Sequence, residues 1–260
     1  MTELANSNMI GFIAALATFA ILQESEVQKA PDRAGEPALR ALMDAAHRLR
    51  DVHITVEKTQ RNGQNAAFFP DWTLDAEVAS PTQFVITRSD MWGDSIRVAF
   101  DGKAFLNDPL SDYQAATLVD ATGDIGNASP LLGPGGYVFS PLWLLLTGSG
   151  ALERLAPKEG AIHTPVEADG WTTLQWTSPS LGTARVVYRM VDGLPVIDRI
   201  EYDELPRRQS NYRASPEWYE APENPLTIET VRMRPATGRS IDLDRLKPPN
   251  TVDSRNSKGS

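Results

Sequence analysis

Apolar and polar residues alternate one for one through several short runs of this chain. In "VHITVEK", Val52, Ile54 and Val56 interleave with His53, Thr55 and Glu57, and in "WTLDAEV" Trp72, Leu74, Ala76 and Val78 do the same. Phe84 and Ile86 continue the alternation, as do Ile96, Val98 and Phe100. Period-2 patterning puts one face of each strand in a core and the other in solvent, the mark of an antiparallel sheet. Asp101-Gly102 and Asp192-Gly193 are hairpin signals, since a type I′ turn needs two residues tolerant of positive φ. The first is expected to set Phe100 opposite Lys103 and Val98 opposite Phe105. Leu174 and Trp176 share one face of "WTTLQWT", and "LTIETVRMRP" reads as a last long strand.

Two segments carry a helical period instead. From Pro37, placed where a first helical residue loses nothing by lacking an N–H, Leu39, Leu42, Met43, Ala46 and Leu49 form one apolar stripe. This amphipathic helix needs an apolar surface to lie on. The second is "SPLWLLLTG", with Ser140 as N-cap and Pro141 as first residue. Leu142 to Leu146 are apolar on every side, so this helix is expected to be wholly buried. "ALERLAP" extends or follows it.

The ends of the chain differ from the middle. Met9 to Leu22 is an apolar run, short for a spanning helix of roughly 20 residues and suited to an export signal, with Ala15, Ala17 and Ala20 as small residues for cleavage. The segment before it holds Glu3 and no Lys or Arg, unlike an ordinary signal; an uncleaved anchor is the alternative, and a buried helix a third reading. The expected layout is a signal peptide or anchor over 1–22, a polar linker over 23–36, one domain over 37–247 and a disordered tail over 248–260. Either of the first two readings of the leader places the domain outside the cytoplasm.

Composition removes whole classes of chemistry. The chain of 260 residues has a net charge of -9, which disfavours nucleic acid as a partner because a basic footprint is missing. It has no cysteine, which excludes disulfides, thiolate nucleophiles, cysteine-bound metal and a cysteine-linked lipid anchor. His47, His53 and His163 lack the spacing of a metal site and read as surface residues. Asp120 and Asp124 in "VDATGDIGNAS" lack the glycine and terminal glutamate of a calcium loop. "TGSGA" is not a nucleophile elbow, and Asp242 with Asp244 in "IDLD" reads as a solvated strand end. No catalytic residue, metal or cofactor is therefore expected.

The stretch "SPTQFVITRSDMWGDSIRVAFDGKAFLNDPLSDYQAATL" resembles the central signature of the LolA-like superfamily, which includes periplasmic lipoprotein carriers. Its features are a Pro, a strand, a second strand ending in Asp-Gly-Lys, a short strand and one containing Tyr. The resemblance spans about forty residues in motif and residues 37 to 205 in order of elements. It implies an α+β fold, mostly antiparallel β. The form is an unclosed β-barrel of about ten or eleven strands with helices covering the concave face, around an apolar cavity for acyl chains. It also implies a periplasmic or periplasm-facing, non-catalytic binder of a lipid or lipidated protein.

The residues agree with a container. Acyl burial contributes about 0.8 kcal/mol per methylene and needs no catalytic group. The ligand-lining candidates are Val56, Leu74, Phe84, Ile86, Ile96, Val98, Phe100, Phe105, Trp143, Leu144 and Trp176. The same residues would equally suit a filled core, and Trp143 either a plug or a lid. The excursion Leu205 to Pro225 supplies a candidate partner surface in Arg207, Arg208, Tyr212, Arg213, Trp218 and Tyr219, since Arg and aromatics are enriched at interfaces. The rival readings are an envelope sensor with a filled core and a hydrolase built from distant carboxylates. A monomer is expected.

Overall fold

The computed structural model describes residues 31–61, 68–90, 93–111, 113–125, 140–178, 182–203, 226–236, 238 and 240–255. The leader at 1–30 and the excursion at 204–225 lie outside them.

Helix α1 (Glu36–His47) leads into strands β1 (Val52–Arg61), β2 (Phe68–Ser80), β3 (Gln83–Asp90), β4 (Ser95–Phe100), β5 (Ala104–Asp108) and β6 (Thr117–Asp120). Helix α2 (Pro141–Thr147) follows, then a 3₁₀ turn at Ser149–Ala151 and the short α3 (Leu152–Leu155). Strands β7 (Val166–Ala168), β8 (Trp171–Ser178), β9 (Gly182–Val191), β10 (Leu194–Asp203) and β11 (Leu226–Pro235) come next, and α4 (Leu243–Leu246) and β12 (Val252–Asp253) close the chain.

All twelve strands form one sheet in the order β12-β6-β5-β4-β3-β2-β1-β11-β10-β9-β8-β7. Every pairing is antiparallel except that of β12 with β6. Among the described residues the sheet is open, because its edge strands β12 and β7 do not pair with each other. It is nonetheless curled. Phe105 on β5 and Trp176 on β8 stand eight strands apart in that order yet share one apolar cluster with α1 and α2. A flat sheet would separate them by about 38 Å, whereas a seven-residue helix such as α2 is only about 10 Å long. Strand twist accumulated over so many neighbours gives the needed curvature.

The roof forms as its sequence dictates. In α1 the stripe Leu39, Leu42, Met43 and Ala46 is buried against the sheet. In α2 the Ser140 side chain accepts from the Leu142 amide, and Pro141 through Leu146 are all buried. The two helices are tied together, since His47 Nδ1–H donates to the Leu146 carbonyl at 3.1 Å and Asp44 accepts from the Ser149 amide at 3.1 Å. Gly35, just before α1, approaches a neighbouring chain segment too closely for any side chain. Its amide donates to the Ile162 carbonyl at 2.8 Å, and a Cβ would stand 1.9 Å from the His163 carbonyl oxygen.

Four expectations need correction. The turn after β4 centres on Gly102-Lys103, with Phe100 opposite Phe105 and Val98 opposite Asn107. The Asp101 side chain accepts from the Lys103 and Ala104 amides at 2.8 and 2.9 Å, so it closes the turn from outside rather than sitting within it. The offset is two residues, so Val98, Phe100 and Phe105 keep a common face. Asp192 and Gly193 do both take positive φ, as expected, and so do Asp169 and Gly170 between β7 and β8.

Among the described residues the strands number twelve rather than about ten or eleven, because β7 and β12 add short edge strands. Asp242 is no strand end but the N-cap of α4, accepting from the Asp244 amide at 3.1 Å. The tail expected to be disordered from 248 is built into the fold as far as Arg255. The Val252 and Ser254 amides donate to the Ala116 and Leu118 carbonyls, and Arg255 pairs with Asp253 and Asp244. This wrap covers a second cluster, Ala99, Ala104, Leu106, Ala116, Leu118 and Leu243, on the outer face of β4 to β6. Those strands are apolar on both sides for that reason.

Two outcomes follow from these contacts. Gly35→Ala costs about 2–3 kcal/mol, because the backbone around His163 must part, and this reads as a lower urea midpoint at unchanged slope. The hydrogen bond from Arg255 holds the Asp253 carboxyl at about 2, below its ordinary 3.8. The carboxylate therefore secures the wrap fully above that ordinary value and releases it as pH falls towards 2. Exchange protection of the Val252 and Ser254 amides should fall across that window and stay constant from pH 5 to 8.

Candidate functional site

Partners directly opposite in an antiparallel ladder point to the same face, so the register fixes what the roofed face presents. Its lower rows are apolar apart from Asn107, the cross-strand partner of Val98. Val52, Val78, Phe84, Phe100 and Phe105 stand in one row, and Ile54, Ala76, Ile86 and Val98 in the next. Phe100 and Phe105 stack with ring centroids 4.2 Å apart, and Phe84 lies tilted at 6.0 Å from Phe100. On the other wing Leu174 and Trp176 of β8 face inward beside Val186 and Ala184.

Ten of the eleven ligand-lining candidates are buried in this one cluster: Val56, Leu74, Phe84, Ile86, Val98, Phe100, Phe105, Trp143, Leu144 and Trp176. Ile96 is half-buried against it. The expected partner surface, Arg207, Arg208, Tyr212, Arg213, Trp218 and Tyr219, lies outside the described residues.

The upper rows are different. Lys58 continues the inward series of Val52, Ile54 and Val56, and its cross-strand partner is Glu229 of β11. The row runs Asp90, Trp72, Lys58, Glu229, Ile200, with Arg88 one step down β3 and Thr227 one step along β11. Lys58 is 5% exposed and Glu229 fully buried. Lys58 pairs with Asp71 at 3.3 Å and lies 5.5 Å over the Trp72 ring. Glu229 accepts hydrogen bonds from the Ser140 hydroxyl at 2.7 Å and the Tyr202 hydroxyl at 2.8 Å.

The roofed face is thus oily at one end and polar at the other. The charged groups at that end are Lys58, Arg88, Asp90 and Glu229, with Asp71 paired to Lys58. A lone ion in such a place costs several kcal/mol, so these groups stand or fall together. The sequence signal for them was phase: Lys58 is in register with Val52, Ile54 and Val56, and Glu229 with Val231.

Other polar constellations lie on the outer face. Arg234 Nε–H donates to His53 Nδ1 at 2.7 Å, which leaves the neutral ring to donate from Nε2 to Asp75 at 2.8 Å. Both ring nitrogens are thereby used, and neither faces a substrate. Glu201 lies between Arg185 and Arg199. An open cleft of about 510 Å³ is lined by Arg97, Asp108, Leu110, Gln114, Pro248 and Asn250. Arg97 there bonds Asp108 at 2.5 Å and the Leu246 carbonyl at 2.8 Å, fastening the C-terminal wrap. Among the described residues no cluster of His, Asp and Glu could hold a metal ion, and no helix is long and apolar enough to cross a membrane.

No known family profile matches the chain, and no curated protein does. Solved structures do align with it, and they include the superfamily resembled in sequence. A LolA superfamily protein from Nitrosomonas europaea is 7% identical, with 82% of this chain and 96% of that chain covered at a TM-score of 0.34. LprF from Mycobacterium bovis is 12% identical, with 82% and 98% covered at 0.33. A DUF1329 family protein from Desulfovibrio piger is 9% identical, with 80% and 95% covered at 0.37. A likeness of that degree says nothing of ligand or activity.

Ser140→Ala removes both the cap of α2 and a bond to a buried carboxylate, and should cost about 1–3 kcal/mol. Glu229→Ala leaves the Ser140 and Tyr202 hydroxyls without their acceptor and should cost about 1–3 kcal/mol. In a double-mutant cycle of Ser140→Ala with Glu229→Ala, followed by urea unfolding, the two should couple by about 1 kcal/mol or more. Additive losses would mean the 2.7 Å bond contributes nothing.

Proposed function

We propose that this is a non-catalytic, extracytoplasmic binding or carrier domain for an amphiphile with acyl chains, either a lipid or the lipidated end of a protein. The observation that carries the reading is the roofed face itself. A broad apolar wall is covered by α2, whose buried residues are apolar on every side, and the wall ends in a polar belt that holds Lys58 and Glu229. Chains would lie against Phe84, Ile86, Val98, Phe100 and Phe105 under Leu144, and a head group would lie towards Lys58 and Glu229.

A guest of about fourteen methylenes gains on the order of 10 kcal/mol from burial before ordering costs, enough for a Kd of about 10 μM with a third of it lost. For it to enter, α2 must shift, and the Ser140–Glu229 bond is one polar tie that such a shift breaks. Export is supported by the apolar run Met9 to Leu22, and the absence of cysteine rules out a thioether anchor. The domain is proposed to extend from about residue 37 through the wrap, as a monomer periplasmic or anchored facing the periplasm.

Native mass spectrometry of the chain after incubation with phospholipid vesicles tests this. A stoichiometric lipid adduct is expected, and a bare mass with every lipid offered overturns the reading. Val98→Asn places an amide in the oily end at nearly constant volume and should lower lipid retention about tenfold while circular dichroism stays unchanged. Full retention by that variant would move the site elsewhere.

A further inference from the structure

Two of the bulkiest side chains under the roof carry a donor with nothing to receive it. Trp143 of α2 and Trp176 of β8 are wholly shielded from solvent, and the Nε1–H of each lacks an acceptor. Buried indoles ordinarily find one, and phenylalanine would supply similar bulk without the unmet bond. Both residues belong to the same apolar cluster, one from the roof and one from the wall. A third group, the Thr227 hydroxyl, is fully buried and unpartnered on the same face at its polar end.

We infer that the guest is an ester lipid, whose acyl carbonyl oxygens accept from the indole N–H groups of Trp143 and Trp176. The inference rests on the reading of the roofed face as a lipid site and adds the chemistry of the linkage. The missing partner is an acceptor, and it must be neutral. A carboxylate or phosphate beside the indoles would need a cation, and the cluster that surrounds them is apolar and supplies none. It must also arrive attached to hydrocarbon, because the surroundings of both indoles are apolar. An ester carbonyl at the root of an acyl chain meets all three demands. A bare hydrocarbon offers no acceptor, and an ether oxygen a weaker one.

Ester-linked chains come from membrane phospholipid or from the diacylglyceryl group of a lipoprotein, and the test separates the two. The full chain is titrated with dipalmitoyl phosphatidylethanolamine, with its dialkyl ether counterpart, and with a dipalmitoylglyceryl-cysteine peptide. The diester should bind about tenfold more tightly than the diether. Trp143→Phe and Trp176→Phe should each weaken diester binding about fivefold more than diether binding. In the unmodified protein, the resonance Raman band sensitive to indole N–H bonding should shift with the diester and not with the diether. Preference for the phospholipid or for the peptide identifies the source.

Equal binding of diester and diether without a Raman shift overturns the linkage inference and leaves the lipid reading standing. No uptake of any of the three removes the lipid reading itself.

Discussion

The pleat of the sheet is the constraint on which the rest depends. Successive side chains on a strand alternate faces, and antiparallel register makes each cross-strand partner share its neighbour's face. Fixing Val52 inward therefore fixes Val78, Phe84, Phe100 and Phe105 inward across five strands. Slipping any one pair by a single residue would turn a whole strand's apolar set to solvent. This is why the turn after β4 can differ from expectation by two residues without altering the wall. A slip of one would have destroyed it.

The same rule explains which parts were legible in the sequence. The stripes of α1, the all-apolar α2 with its Ser140 cap, and the inward sets of β1, β2 and β3 are each written in local periodicity, which is short-range physics. What escaped depends on partners distant in sequence. Ala99, Leu106 and Leu118 read as ordinary outward positions until a chain end more than 120 residues away folds over them. Glu229 reads as the polar member of an alternating pair, yet it is Ile228 that faces out less deeply buried. Its burial requires Ser140 and Tyr202 as donors, which adjoin it only in three dimensions. Asp169-Gly170 was readable in principle, since its turn chemistry matches that of Asp192-Gly193, but the three-residue β7 it serves is too short to show a period.

Electrostatics set the limits of the oily wall. An apolar residue at Lys58 or Glu229 would extend the grease to the end of the strands and pack at no desolvation cost. The chain instead keeps opposite charges in one row, supports the acid with two hydroxyls, and lays the ammonium over the Trp72 ring. Such an arrangement is weak evidence for stability, because replacing buried ions with hydrocarbon is often neutral or better. It makes more sense as a boundary: hydrocarbon is favoured below the row and disfavoured along it, so a guest has one orientation.

Roof and boundary are not independent, because Ser140 belongs to both. Its hydroxyl oxygen accepts from the Leu142 amide, opening α2, while its hydrogen goes to Glu229. A shift of α2 away from the sheet would take the donor from a fully buried carboxylate, whose lost bond costs about 1–3 kcal/mol until another donor replaces it. The helix is thus held closed by apolar burial along its length and by a directional bond at its first turn. Of these, a guest can substitute for the first by offering its own hydrocarbon to Leu144 and Trp143. On the proposed reading it would substitute for the second only with a head group that donates a hydrogen bond, so that the polar end of the ligand, rather than its chains, would decide whether the roof stays open.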